Sequence, residues 1–311
     1  MVKVTEFDQI ERKTAAFCSR PALTSKRTGV ELLAHTLPLS RYLFLMLCGV
    51  LLCPAITTAA TVEESDAMAL AASKRGDFAT VLRIVRPLAE TGHAKSQQRL
   101  GYLNETGSGV PKDNLEAMKW YKLAAAQGLP AAQYSVGNMY DSGTGVSRNY
   151  SEALKWYRLA ANQSYAMAQF HLGMMYQDGT GVQANKFEAF KWFELAAAQG
   201  NVKAESNIGV MYYEGLGVRQ DNAKALYWYR LAAQHGSAKA QGNLGALYFN
   251  GRIVQQDLVR AYMWTSLSAR TGAAEELKKR DEAASHLTGQ QTRQAEQLAE
   301  GCLARSFQGC D

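Results

Sequence analysis

All five tryptophans of this chain, Trp120, Trp156, Trp192, Trp228 and Trp264, stand 36 residues apart. Glycines keep the same interval at Gly101, Gly137, Gly173, Gly209 and Gly245, and again at Gly107, Gly143, Gly179, Gly215 and Gly251. So do Val110, Val146, Val182, Val218 and Val254, and Ala117, Ala153, Ala189, Ala225 and Ala261. A unit of about 20–50 residues cannot bury its own apolar face, so a phase held this strictly means copies stacked into an array. The 311 residues would otherwise suit either two domains or one long solenoid, and the period decides for the solenoid.

Within one interval the residue order specifies two helices. Ser96, Leu100, Leu103 and Asn104, answered one unit later by Ala132, Val136, Met139 and Tyr140, lie three or four apart and predict the buried face of a first helix. Gly107 and Gly109 stop it, because glycine accepts the left-handed conformation that caps free carbonyls. Asp113 with Glu116, then Asn149 with Glu152 and Asn185 with Glu188, have the spacing of a capping box that opens a second helix. That helix is expected to bury Ala117, Trp120, Tyr121 and Ala124 and to end at Gly128, with small Gly101 and Ala117 admitting the bulk of Trp120. The fifth unit departs, with Ile253 for the second loop glycine, Thr265 for the tyrosine and Ser268 for an alanine, as terminal units of arrays often do. Residues 273–287 and 290–304 read as two more helices, the second opened by a capping box of Thr288 and Gln291.

The run LGYLNETGSGVPKDNLEAMKWYKLAAAQG, recurring four more times, resembles the Sel1-like repeat, a relative of the tetratricopeptide repeat. The resemblance covers residues 93–272 and implies an all-α, right-handed α-solenoid of helix-turn-helix units. Residues 61–92, with Gly76, Asp77 and Phe78 ahead of a PLAETG run, resemble a degenerate opening repeat. Pro87 inside its second helix removes a donor and is expected to kink it. Residues 273–311 are expected to cap the far end.

Residues 1–60 read as a leader. Arg41 precedes a 15-residue uncharged apolar run at residues 42–56, and Thr58 and Ala60 follow, the order of a signal peptide with cleavage near Ala60. The run is shorter than the 18 or so residues of a spanning helix. Two readings stay open, a cleaved signal giving a periplasmic or secreted protein and an uncleaved single anchor, and membrane contact is expected through this segment alone. Cys302 and Cys310 are the two cysteines of the mature chain, an even pair that suits an oxidising compartment. On a straight helix their spacing would hold them about 12 Å apart, so a bond requires the chain to turn back after Cys302.

Charge excludes one class of function. The formal net charge is +6, but without the leader 27 basic and 24 acidic side chains leave +3, with no clustered basic footprint for nucleic acid. Hydrophobic residues at 47% and charged residues at 20% exclude a disordered or polytopic membrane chain. Gly107, Ser108 and Gly109 lack the Gly-Lys-Ser/Thr run of a phosphate loop. His35, His93, His171, His235 and His286 are scattered singly, without metal-ligand spacing, and neither mature cysteine has a nucleophile signature. No cofactor, metal or catalytic residue is implied.

By the tetratricopeptide resemblance the first helix of each unit lines the concave surface, and its inward stripe begins at Lys95, Gln98, Tyr102, Glu105 and Thr106. In later units this stripe carries Tyr134 and Asn138, then Met167, Phe170 and Met174, then Tyr213 and Phe249. Large apolar groups on a solvent face mark a binding patch; under tight curvature the same rings would instead pack on one another, and both readings stand. The function expected is a monomeric, non-enzymatic, exported scaffold that holds a protein or peptide in its groove. The alternatives are an envelope enzyme or modulator acting on peptidoglycan or β-lactams, and a secreted effector facing a host. The cysteine-paired repeats of relatives linked to such envelope chemistry are absent here.

Overall fold

Two helices form in every interval, where the periodicity places them. The computed structural model describes residues 54–310, so the expected leader up to residue 53 lies outside the described residues. There are 14 α-helices and no strand among the described residues, and none of these helices is long and apolar enough to cross a membrane. The described residues divide into two compact units, one ending at Thr91 and the other beginning at Gly92.

In the first unit α1 (Pro54–Lys74) packs on α2 (Phe78–Glu90). Asp77 caps α2, its carboxylate accepting from the Thr80 N–H at 3.1 Å. The helix runs through Pro87 to Glu90 and buries Val81, Val85 and Ala89.

The second unit holds the array. Its first helices are α3 (Ala94–Thr106), α5 (Pro130–Ser142), α7 (Ala166–Asp178), α9 (Val202–Glu214) and α11 (Ala238–Asn250). Its second helices are α4 (Asn114–Ala126), α6 (Tyr150–Asn162), α8 (Lys186–Ala197), α10 (Asn222–Gln234) and α12 (Leu258–Ala269). Each first helix packs on its own second helix, and each second helix on the next first helix, giving an α-solenoid.

Inside a unit the close approach is between glycine and a ring. A Cβ on Gly101 would stand 2.6 Å from the Tyr121 ring, and one on Gly137 2.7 Å from Tyr157. Gly173 with Phe193 and Gly209 with Tyr229 repeat the contact. The tryptophan expectation is therefore corrected: the fully buried ring is the residue after it. Trp156, Trp192 and Trp228 are partly buried, and each packs against the core cluster formed by the preceding second helix and its own first helix, so they lie along the joints between units. Trp264 alone is fully buried, beside Thr265, the one small residue in the ring position. The second loop glycine also serves a joint: a Cβ on Gly145 would meet the Asn114 carbonyl oxygen at 2.5 Å, at the start of the previous second helix.

The second-helix caps are one-sided. Asp113 and Asn149 accept from the N–H groups of Glu116 and Glu152 at 2.9 and 3.1 Å, but the glutamates do not reach back. The cap N–H groups already donate to first-helix carbonyls, Asp113 to Asn104 at 2.9 Å and Asn149 to Tyr140 at 2.8 Å. With that donor satisfied, Glu116, Glu152 and Glu188 turn outward to Lys119, Lys155 and Lys191 at 2.7, 2.6 and 2.8 Å. The reciprocal box does form at Thr288 and Gln291.

Two helices close the array, α13 (Ala274–Ala284) and α14 (Gly289–Ala304). Ser268 lies 2.7 Å from the Ala238 carbonyl and 2.6 Å from a Glu276 carboxylate oxygen, tying α13 to the last repeat. After α14, Ser306 and Phe307 take positive φ and the Phe307 N–H returns to the Cys302 carbonyl at 2.9 Å. The reversal brings the Cα atoms of Cys302 and Cys310 to 5.2 Å, and the two are joined by a disulfide.

Candidate partner-binding face

The eight stripe residues occupy the second, fifth, ninth and twelfth positions of the first helices, three or four apart, so they share one side of the helix row. The ninth and twelfth positions stay at the surface. Tyr102 is 51% exposed, Asn138 is partly exposed, and Met174 is partly buried with its sulfur 3.4 Å from the Asn207 amide nitrogen. Tyr213 and Phe249 lie partly exposed against the last core cluster, Phe249 edge-on to His286 with ring centres 5.1 Å apart. Met167, at the second position, has its sulfur 3.6 Å from the Asn201 amide nitrogen.

The fifth position instead turns inward, Tyr134 towards the next repeat and Phe170 towards the second helix of its own repeat. Phe170 is 9% exposed, with Phe193 at 5.8 Å and His171 edge-on at 5.5 Å between ring centres. Tyr134 packs at a tilt against Tyr157 and Tyr165 and edge-on to His171, and its hydroxyl lies 3.2 Å from the His171 Nε2. Burial pushes the Tyr134 phenol up to about 12 and holds the His171 imidazole below its ordinary range. Tyr102, Met174, Tyr213 and Phe249 thus stay at the surface, whereas Phe170 and Tyr134 are wedged among rings.

Two polar devices beneath this face are not visible as motifs. The Tyr121 hydroxyl donates to Glu105 at 2.7 Å and Tyr157 to Asp141 at 3.2 Å, and burial, with those carboxylates, raises both phenols. In the third repeat Phe193 has no hydroxyl, and the matching position is the neutral Gln177. The second device is a glutamine ladder. Gln127 donates to Gln97, Gln163 to Gln133 and Gln199 to Gln169, at 2.7 to 2.9 Å, joining the two ends of each repeat. The inner glutamines also donate across the joint, Gln133 to the Ala125 carbonyl and Gln169 to Ala161 at 3.4 and 3.2 Å. In the fourth repeat both members change together: buried Glu205 receives His235 Nδ1 at 2.8 Å. The paired change at a spacing of 30, Gln with Gln and Glu with His, is the signal that could have revealed the ladder.

No group of three or more His, Cys, Asp or Glu among the described residues could hold a metal ion. The surface row presents ring faces, a thioether and an amide.

The Sel1 repeat family profile matches residues 94–129, 130–165, 166–201, 202–237 and 238–272. A solved Sel1 repeat protein from Oxalobacter formigenes is 33% identical, with a TM-score of 0.66, over 70% of this chain and 86% of that one. A protective antigen of uropathogenic Escherichia coli strains displaying an SLR fold is 38% identical with a TM-score of 0.59 over 63% of this chain. The present chain spans 42% of that antigen's length. No curated protein matches. Five consecutive profile matches, laid over five helix pairs with one packing chemistry, place this chain in the Sel1 repeat family.

Proposed function

We propose that the chain is a non-enzymatic scaffold acting outside the cytoplasm, and that it holds a protein or peptide along the row of first helices. Sel1 repeat proteins typically mediate protein–protein interaction, which sets the class. The observation that carries the finer reading is the surface row of Tyr102, Met174, Tyr213 and Phe249: aromatic and thioether groups kept partly in water at matching helix positions are the usual anchors of a recognition face. Export is supported by the order of Arg41, the apolar run and Ala60, and by the bond between Cys302 and Cys310, a linkage that persists in oxidising compartments.

The test is an affinity capture from an envelope extract of the source organism using residues 61–311 and a Tyr102→Ala, Met174→Ala, Tyr213→Ala variant. The variant should keep its helical circular dichroism and lose the captured protein. Retention by a folded variant would move recognition off this row. Amino-terminal sequencing of protein recovered outside the cytoplasm should begin near Thr61, and an intact Met1 would refute processing.

A further inference from the structure

On the opposite side of the array the second helices carry a periodic leucine: Leu123, Leu159, Leu195, Leu231 and Leu267. In the first three repeats it is 49%, 48% and 49% exposed, and in the fifth it is 3% exposed. A single leucine in water needs no explanation, but the same half-exposed leucine in three successive units makes a row. Nothing in helix propensity requires leucine there, since lysine, glutamate or alanine would serve as well.

The fifth repeat shows what covers such a row. Leu267 belongs to the same core cluster as Ala295, Ala299, Cys302 and Cys310, and α14 packs directly on α12. Ala295 and Ala299 are one turn apart and small, so the covering helix can lie close to the leucine, while Glu296 and Glu300 beside them stay exposed. A neighbouring outward position agrees: it is Lys119, Lys155 and Lys191 where the row is open, and buried Met263 where α14 lies. In the first two repeats a cation flanks the open row, and the third has Glu194 at that position. Lys122 stands over the Tyr140 ring and Arg158 donates to the Tyr176 hydroxyl, partners that carry no negative charge. At the border with the cap, Leu226, Tyr227 and Leu231 line a shallow depression of about 280 Å³ on α10.

We propose that the row of Leu123, Leu159 and Leu195, continued by Tyr227 and Leu231, is a second docking surface, and that it takes an amphipathic helix from a partner protein. The partner helix repeats the chemistry of α14: small apolar side chains four apart against the leucines, with carboxylates beside them facing Lys122 and Arg158. The chain thus carries, in its own cap, a copy of the ligand. This surface lies on the second helices and is independent of the first-helix row.

The probe is a helix-stapled synthetic peptide with the sequence of residues 289–304, serine in place of Cys302, labelled for fluorescence anisotropy and titrated into residues 61–311 with the disulfide intact. Saturable binding is expected, weakened at least about tenfold by Leu159→Glu with Leu195→Glu, in line with interface anchors carrying most of the affinity, and unchanged by Tyr102→Ala. A peptide with Ala295→Glu and Ala299→Glu should not bind. A photo-crosslinker on the small face of the peptide should label α6 and α8 of the unaltered chain, a readout that does not depend on how the glutamate variant folds. Absence of binding, or crosslinks confined to the first helices or to the cap, overturns the proposal.

Discussion

A methyl group is enough to probe the interior of a repeat. Alanine for glycine inside a helix ordinarily stabilises by about 1 kcal/mol, but at Gly173 the new Cβ would stand 2.5 Å from the Phe193 ring. The clash wins, and Gly173→Ala is expected to cost about 1–3 kcal/mol, read as a lower urea midpoint. The Glu205 and His235 pair makes a second residue-scale prediction. His235→Gln leaves a buried carboxylate with a weaker donor and should destabilise by about 1–3 kcal/mol. Adding Glu205→Gln rebuilds the amide pair of the other repeats and should restore most of the loss. A double variant no more stable than the single one would mean that the pair does not act as a unit. His171 makes the third, through pH. Its imidazole is held low by burial, so the unfolded chain binds the proton more readily. The contribution is whole above the unfolded value of about 6.5 and is lost as pH falls below it. Melting midpoints should therefore drop towards acid, and His171→Gln should flatten the drop; parallel curves would assign the acid sensitivity to other groups.

Among the elements, the periodicity made the helices, their order and the core stripe of Leu100 and Leu103 legible, but not which ring each second helix buries. Trp192 and Phe193 share the same 36-residue period, and adjacent positions differ only by about 100° around the helix. What decides is the place of Gly173 on the facing helix, a relation between elements that spacing alone does not contain. Phe193→Ala is accordingly expected to cost about 3–5 kcal/mol, and Trp192→Ala less, because its ring is partly in water and lies on a joint. Denaturant melts of the two variants in parallel would reverse this order if the tryptophan were the inner ring. The caps show the same limit. Asp113 and Glu116 have capping-box spacing, yet the Asn104 carbonyl, from another helix, takes the donor that Glu116 would have used. The candidate face divided for this reason too: Tyr102 and Phe170 belong to one stripe, and it is the Phe193 ring on the facing second helix that Phe170 turns towards.

For the whole molecule, the cap was readable as two helices but not as a cover over Leu267; the available hint was Met263 in a column of lysines. The loop closed by Cys302 and Cys310 is short, so its reduction should lower stability by only about 2–3 kcal/mol, with amide exchange rising first in α14. Exchange rising uniformly along the array would show that the cap is not a separate step. The stability of such an array is a sum over nearest-neighbour contacts, and its cooperativity is limited by the weakest. Across the first two joints an inner glutamine donates to the helix before it, Gln133 to Ala125 and Gln169 to Ala161. Glu205 holds that place at the third joint, and a carboxylate has no proton to offer the Ala197 carbonyl. The fourth joint has the bond again, from Gln241 to Ala233 at 3.3 Å. Pulled from its two ends, the solenoid should part first between α8 and α9, into blocks of three and two repeats, so that one charge placed to pair with a histidine also marks where the protein comes apart.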